Sequence, residues 1–276
     1  MDCSGFFRFK THLKEIFIMT TSILIGTNKV TESEVFSVPA VPFSKTFHPV
    51  HHRDLILAVK EGVQAVGLEI VQSQYVLAAD GNRMFAVYDL SQRNSELCWS
   101  IGIRNSMNKS MSLGITAGTK VFVCENLCFS GDFLAFRRHT SGLDIDELAF
   151  LAYRSMRSMI PRLKALEAWQ LGLRNYALPD NHLKILLVEI MTNNVIPPSK
   201  FHQFVDLYTN VYRDNSLWSF HESATEVLRE SNLMTLPGKN KLLNQVLDNY
   251  IGSLSMAKDE VSSLGDFFQQ RALIHR

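Results

Sequence analysis

Apolar side chains recur with two different periods along this chain. From about residue 68 to residue 140 they alternate or come in short blocks: "LEIVQSQYVLA", "RMFAVYDL", "ELCWSIGI" and "SMSLGITAG". In the last of these, Met111, Leu113, Ile115 and Ala117 alternate with Ser112, Gly114 and Thr116. A period of two predicts strands with one face buried. Asp80-Gly81 in "AADGNR" predicts a hairpin turn between the first two strands. Gly118-Thr119-Lys120 predicts a turn into the apolar run "VFVCENLCF", and "DFLAFRRHT" reads as a further short strand.

Beyond Gly142 the period becomes helical. Asp144 with Glu147 three residues later predicts a capping box at the start of "DIDELAFLAYRSMRSMIPRLKALEAWQLGL". Leu148, Leu151, Met159, Leu163 and Leu166 form its apolar stripe, and Pro161 predicts a kink or break. Further helices are expected over 179–191, ahead of Pro197-Pro198, and in "SKFHQFVDLYTNVY", where Phe201, Phe204, Val205, Tyr208, Val211 and Tyr212 share one face. "SLWSFHESATEVLRES" and the C-terminal run from Lys241 to Gln270 are helical as well. A helix also precedes the strands, over 51–66, with Leu55, Ala58, Val59, Val63 and Val66 at helical spacing and Gly67 as its C-terminal cap.

The expected fold class is therefore α+β: an N-terminal antiparallel or mixed sheet with hairpins, followed by a helical C-terminal half. Residues 1–18 read as an extension or a mis-assigned start, because "MTTSILIGTNK" from Met19 is a natural opening. Residues 19–142 form the sheet-rich part and 143–276 the helical part, packed together as one domain. Residues 19–49, punctuated by Pro39, Pro42 and Pro49, read as an irregular arm.

The composition is that of a globular chain, 46% hydrophobic and 20% charged, with a net charge of +1. No run approaches the ~20 apolar residues of a membrane span. Cys3, Cys98, Cys124 and Cys128 do not form a disulfide framework; Cys124 and Cys128 read as buried thiols of a protein in a reducing compartment. The chain lacks P-loop, G-x-S-x-G, G-x-G-x-x-G and H-E-x-x-H motifs. "FHPVHHRD" places His48, His51, His52 and Asp54 close in sequence, which is metal-ligand chemistry if a fold converges them and a helix start otherwise. His139 and His221 read as hydrogen-bonded structural residues.

Charge is unevenly placed. Between Arg104 and Lys164 nine basic residues face five acidic ones, although the whole chain is only +1. Arg154, Arg157 and Lys164 fall opposite the apolar stripe of their helix, and such a stripe beside a sheet can track a phosphate backbone. The run Arg104, Asn105, Ser106, Asn108, Lys109, Ser110 is dense in donors and holds no acid or base, which suits gripping rather than bond breaking.

"RNSMNKSMSLGITAGTKVFVCENL" resembles the "nSHDGSsalrv…tpvRvvCqNtL" core of the phage/plasmid-like proteins, a family built on a domain of unknown function. "LAFRRHTSG", "NSLWSFHESATEVLRE" and "IVQSQYVLAADGNRMFAVYDL" extend the resemblance over about residues 50–230 in the family's order. Two departures matter. The family's His-Asp-Gly stands here as Met107-Asn108-Lys109, and its Arg before the Val-Val-Cys as Lys120. The first departure removes the acid and imidazole that chemistry at that loop would need. The resemblance implies a cytoplasmic protein of a bacterial host, encoded by a mobile element and working on or near its DNA.

The function expected is nucleic-acid association, with single-stranded DNA as the first choice of partner, in replication, recombination or annealing, without a cofactor or a membrane. Arg104, Asn105, Lys109, Lys120, Arg137, Arg138, Arg154 and Arg157 are the expected contacts, with Trp99, Phe122 and Phe136 as stacking rings. Self-association stays open. The alternatives are a metal-dependent enzyme acting on nucleic acid and a structural or host-modulating interaction protein.

Overall fold

The computed structural model describes residues 29–45, 47–93, 97–121, 127–140, 143–229, 231 and 235–274. The N-terminal extension and Cys124 lie outside them. Six antiparallel strands form one sheet in sequence order: β1 Lys29–Val30, β2 Ile70–Leu77, β3 Arg83–Arg93, β4 Leu97–Ser106, β5 Leu113–Val121 and β6 Leu127–Arg137. Seven helices accompany them: α1 Glu32–Phe36, α2 His52–Ala65, α3 Ile145–Gly172, α4 Asp180–Thr192, α5 Phe201–Asp206, α6 Leu217–Leu228 and α7 Leu236–Ile274. The architecture is α+β, with the sheet in the first half and a helical second half.

Alternation along the strands builds one core. Tyr88, Ile101, Ile115 and their same-face neighbours pack with Leu55, Val59 and Val63 of α2 and with Leu148, Met156 and Met159 of α3. The two helices approach closely at Gly62, where a Cβ would lie 3.1 Å from Met156 Cγ and 3.2 Å from the Ala152 carbonyl carbon. A second apolar cluster lies among the C-terminal helices and takes in Val87 and Leu97 of the sheet, while α7 packs against β6. None of the helices, searched over the described residues, is long and apolar enough to cross a membrane.

Several local signals act as expected. Asp144 caps α3, its side chain accepting from Glu147 N–H at 2.8 Å. Gly67 has φ +77°, and the bonds Gly67 N–H to Gln64 O and Leu68 N–H to Val63 O close α2. Gly81, φ +67°, turns β2 into β3.

Four expectations are corrected. The segment Gly118-Thr119-Lys120 is not a turn. It lies in β5, paired to β4 on one side and β6 on the other. Lys120 and Asp89 form a buried ion pair to which Ser100 Oγ adds a 2.8 Å bond, and Thr119 donates to buried Gln170 on α3. Polar residues sit mid-strand here because each finds a partner under cover. Helix α3 does not break at Pro161, which is exposed, so the carbonyl that proline leaves without a partner is on the wet side of the helix. The arm is not wholly irregular: Thr31 and Glu34 form a reciprocal capping box that starts α1. Finally, the amphipathic helix from Phe201 widens into a π-helix over Leu207–Tyr212; Phe204 and Tyr208 are buried while Phe201 and Val211 face solvent.

Candidate functional site

Antiparallel pairing brings one end of each long strand to the same rim. Arg83 opens β3 opposite Ser106 at the end of β4, and Leu113 opens β5 opposite Arg137 at the end of β6. The Asp80-Gly81 turn, the 107–112 connection, the 138–140 exit and the start of α2 therefore meet here.

One residue, Val50, lies at the centre of this rim. The Val50 N–H donates to His139 Nδ1 at 3.2 Å, and the Val50 carbonyl accepts from Asn105 Nδ2 at 2.8 Å. Asn105 Nδ2 also lies 2.9 Å from His52 Nδ1, while His52 Nε2 lies 3.0 Å from the Gly81 carbonyl. A carbonyl only accepts, so Nε2 carries the proton and Nδ1 accepts from the amide. His52 is thus fixed as a neutral imidazole. Burial, reinforced by the nearby His51 and His139 rings, pushes it down to about 4 against the Gly81 bond that favours its charged form. Burial also lowers His139.

His51 caps α2, its Nδ1 accepting from Arg53 N–H at 3.1 Å and its Nε2 donating to the Val38 carbonyl at 2.7 Å. The "FHPVHHRD" histidines are therefore used to close the arm onto the sheet. Among the described residues no group of three His, Cys, Asp or Glu side chains is placed to hold a metal ion. His221, the other lone histidine, is buried on α6 with Nδ1 3.0 Å from Glu222 Oε1.

The donors of the 106–110 run are engaged within their own loop and with the neighbouring β2–β3 turn. Ser106 Oγ donates to Asn108 Oδ1 at 2.8 Å, Ser110 N–H reaches the same oxygen at 3.2 Å, and Met107 N–H donates to the Asn82 carbonyl at 2.8 Å. Lys109, at φ +67°, is the residue of this loop that projects its charge, with Nζ 5.1 Å from the Phe47 ring centre.

The expected contact residues thus separate. Lys109, Arg137 and Arg138 are exposed at the rim, and Arg154 and Arg157 are exposed on α3. Arg104 is half-buried, and burial lowers its pKa. Asn105 and Lys120 are withdrawn from the surface: Asn105 holds the Val50 carbonyl and Lys120 holds Asp89. Trp99 is a core residue whose indole N–H donates to Glu167 at 2.9 Å. Phe122 lies outside the described residues, and Phe136 falls on β6.

An aromatic that sequence reasoning missed is at the same rim. Phe43 is 76% exposed and stacks on His48, with ring centres 5.5 Å apart and planes 13° apart. The Ser44–Phe47 bridge bends the arm around exposed Lys45, and His48 N–H donates to the His139 carbonyl at 3.2 Å. Phe47 packs edge-on against His139 at 5.6 Å. A lone exposed ring in a proline-rich stretch carries no periodic signal; only the basic Lys45 and the neighbouring His48 hinted at it.

Comparison of the chain with protein-family models, with curated proteins and with solved structures finds no match in any of the three.

Proposed function

We propose that the protein binds nucleic acid, single-stranded DNA in the first place, at the rim where the arm, the β4–β5 connection and the β6 exit meet. The observation that carries this reading is the Phe43–His48 stack, a flat ring face held open to solvent among Lys45, Lys109, Arg137 and Arg138. A single strand offers unstacked bases to such a ring and phosphates to the surrounding cations. The buried histidines hold the platform against the sheet and do not touch the ligand.

The reading keeps the resemblance to the phage/plasmid-like proteins, and with it a role on mobile DNA inside a bacterial host, as a proposal. The family's Asn and His positions, Asn105 and His139, grip the carbonyl and the N–H of one residue, Val50. The position where the family pattern has Gly is Lys109, whose backbone is left-handed. The role is one of holding a strand during replication, recombination or annealing.

The test is fluorescence anisotropy with a labelled oligonucleotide across a salt series. Phe43→Ala should weaken binding by about 1–3 kcal/mol. Lys109→Ala with Arg138→Ala should reduce the salt slope by about 1.4, roughly 0.7 for each lost phosphate contact. Absence of wild-type binding at low salt, where electrostatics is strongest, would exclude the reading in favour of a protein partner.

A further inference from the structure

Helix α3 presents four side chains that the core does not use. Phe150 is 55% exposed and Tyr153 38% exposed, and Arg154 and Arg157 are exposed beside them. The helix buries its other side, through Leu148, Leu151, Met156 and Met159. Phe150 and Arg154 are four residues apart, as are Tyr153 and Arg157; the two rings are three apart, as are the two guanidiniums. Positions at these spacings are neighbours on a helix, with Cβ atoms about 5–6 Å apart. The four therefore form one lozenge in which a row of two rings lies beside a row of two guanidiniums. Asp146 and Glu147 adjoin it on the N-terminal side, where they suit the positive end of the helix.

Its place in the fold connects it to the rim. β6 ends at Arg137 and α3 begins at Ile145, so the helix starts where Arg138 and His139 leave the sheet. From there to Arg157 is about 18 Å at the helical rise.

We infer that α3 continues the binding track: a single strand seated on Phe43 runs along this helix, stacks further bases on Phe150 and Tyr153, and sets its phosphates against Arg154 and Arg157. This rests on the reading of the rim as a nucleic-acid site. The chemistry selects the occupant. A single strand carries its bases along one side and its phosphates along the other, so a row of rings beside a row of guanidiniums repeats the pattern of the strand itself. An acidic protein surface would complement the arginines and leave the rings in water.

The experiment compares labelled oligothymidylates of about five and about fifteen nucleotides, lengths that bracket a site of one module. The variant is Phe150→Ala with Tyr153→Ala. Both rings are partly exposed and lie outside the core cluster, so the fold should survive with a small fall in the thermal midpoint, and unchanged short-strand binding reports an intact rim. The wild type should bind the longer strand more tightly. The double variant should bind the short strand as the wild type does and lose about fivefold or more per ring on the long one. If the wild type binds the short strand normally but gains nothing with length, or if the gain survives in the variant, the α3 track is wrong and the rim stands. If the wild type binds neither strand at low salt, both fall.

Discussion

Acid should loosen this fold through His52, and the size of the effect can be worked from its surroundings. Above pH ~7 the ring is neutral in the native and the unfolded chain and adds nothing to the pH slope. The unfolded ring takes a proton at its ordinary value of 6.5, whereas the native ring does so only at about 4. As pH falls through that window the unfolded chain binds a proton that the native chain refuses, so stability is lost; below about 4 the loss is complete. The full difference corresponds to about 3 kcal/mol at 1.36 kcal/mol per unit, and about 2 kcal/mol of it is already lost at pH 5. For a chain of this size that is a fall of about 4–8 °C in Tm. His139, also lowered by burial, acts in the same direction. The assay is a series of thermal or urea melts from pH 7.5 to 5 on the wild type and on His52→Gln. The glutamine amide can reach the Gly81 carbonyl in place of Nε2 and does not titrate. Its absolute stability will differ, but its pH slope should be flatter by about 2 kcal/mol over the interval. A variant that keeps the wild-type slope, or a wild type that is flat from pH 7.5 to 5, would refute the assignment of a neutral, doubly bonded His52.

Two further outcomes follow from the packing. Lys120→Ala should cost about 3–5 kcal/mol, because it leaves buried Asp89 without its partner, and Lys120→Met with Asp89→Leu should recover much of that in a urea melt; a single variant as stable as the wild type would contradict the burial. Gly62→Val should cost about 1–3 kcal/mol by wedging α2 from α3, read as a lower denaturation midpoint with unchanged far-ultraviolet circular dichroism.

Much of the architecture was legible because it rests on period and caps. The alternation from Met111 to Ala117, the Asp80-Gly81 turn, Gly67 after α2 and Asp144 before α3 all act within a few residues, so sequence alone exposes them. Gly118-Thr119-Lys120 was misread because small and polar residues in sequence look like a turn, and nothing local shows that Asp89 and Ser100 wait across the sheet and Gln170 on α3. The Thr31–Glu34 box was legible in principle but was masked by the prolines that follow it. At the site, Lys109, Arg137 and Arg138 could be picked out by charge. The withdrawal of Asn105 and Lys120 could not, since it depends on contacts 53–55 residues away for Asn105 and 31 residues away for Lys120. Phe43 was invisible for the opposite reason: its importance lies in what does not cover it.

The grip on Val50 also implies an order of assembly. Every long strand of the sheet pairs with its neighbour in sequence, so each hairpin closes a short loop at small entropic cost. The segment leading into α2 is different: its ties run to Asn105, 55 residues on, and to His139, 89 residues on. A segment that leaves a ribosome before any long strand of the sheet is thus among the last to find its place. It must wait until the final strand of the sheet has been made, and only then does the exposed ring of Phe43 take up its position on the finished rim.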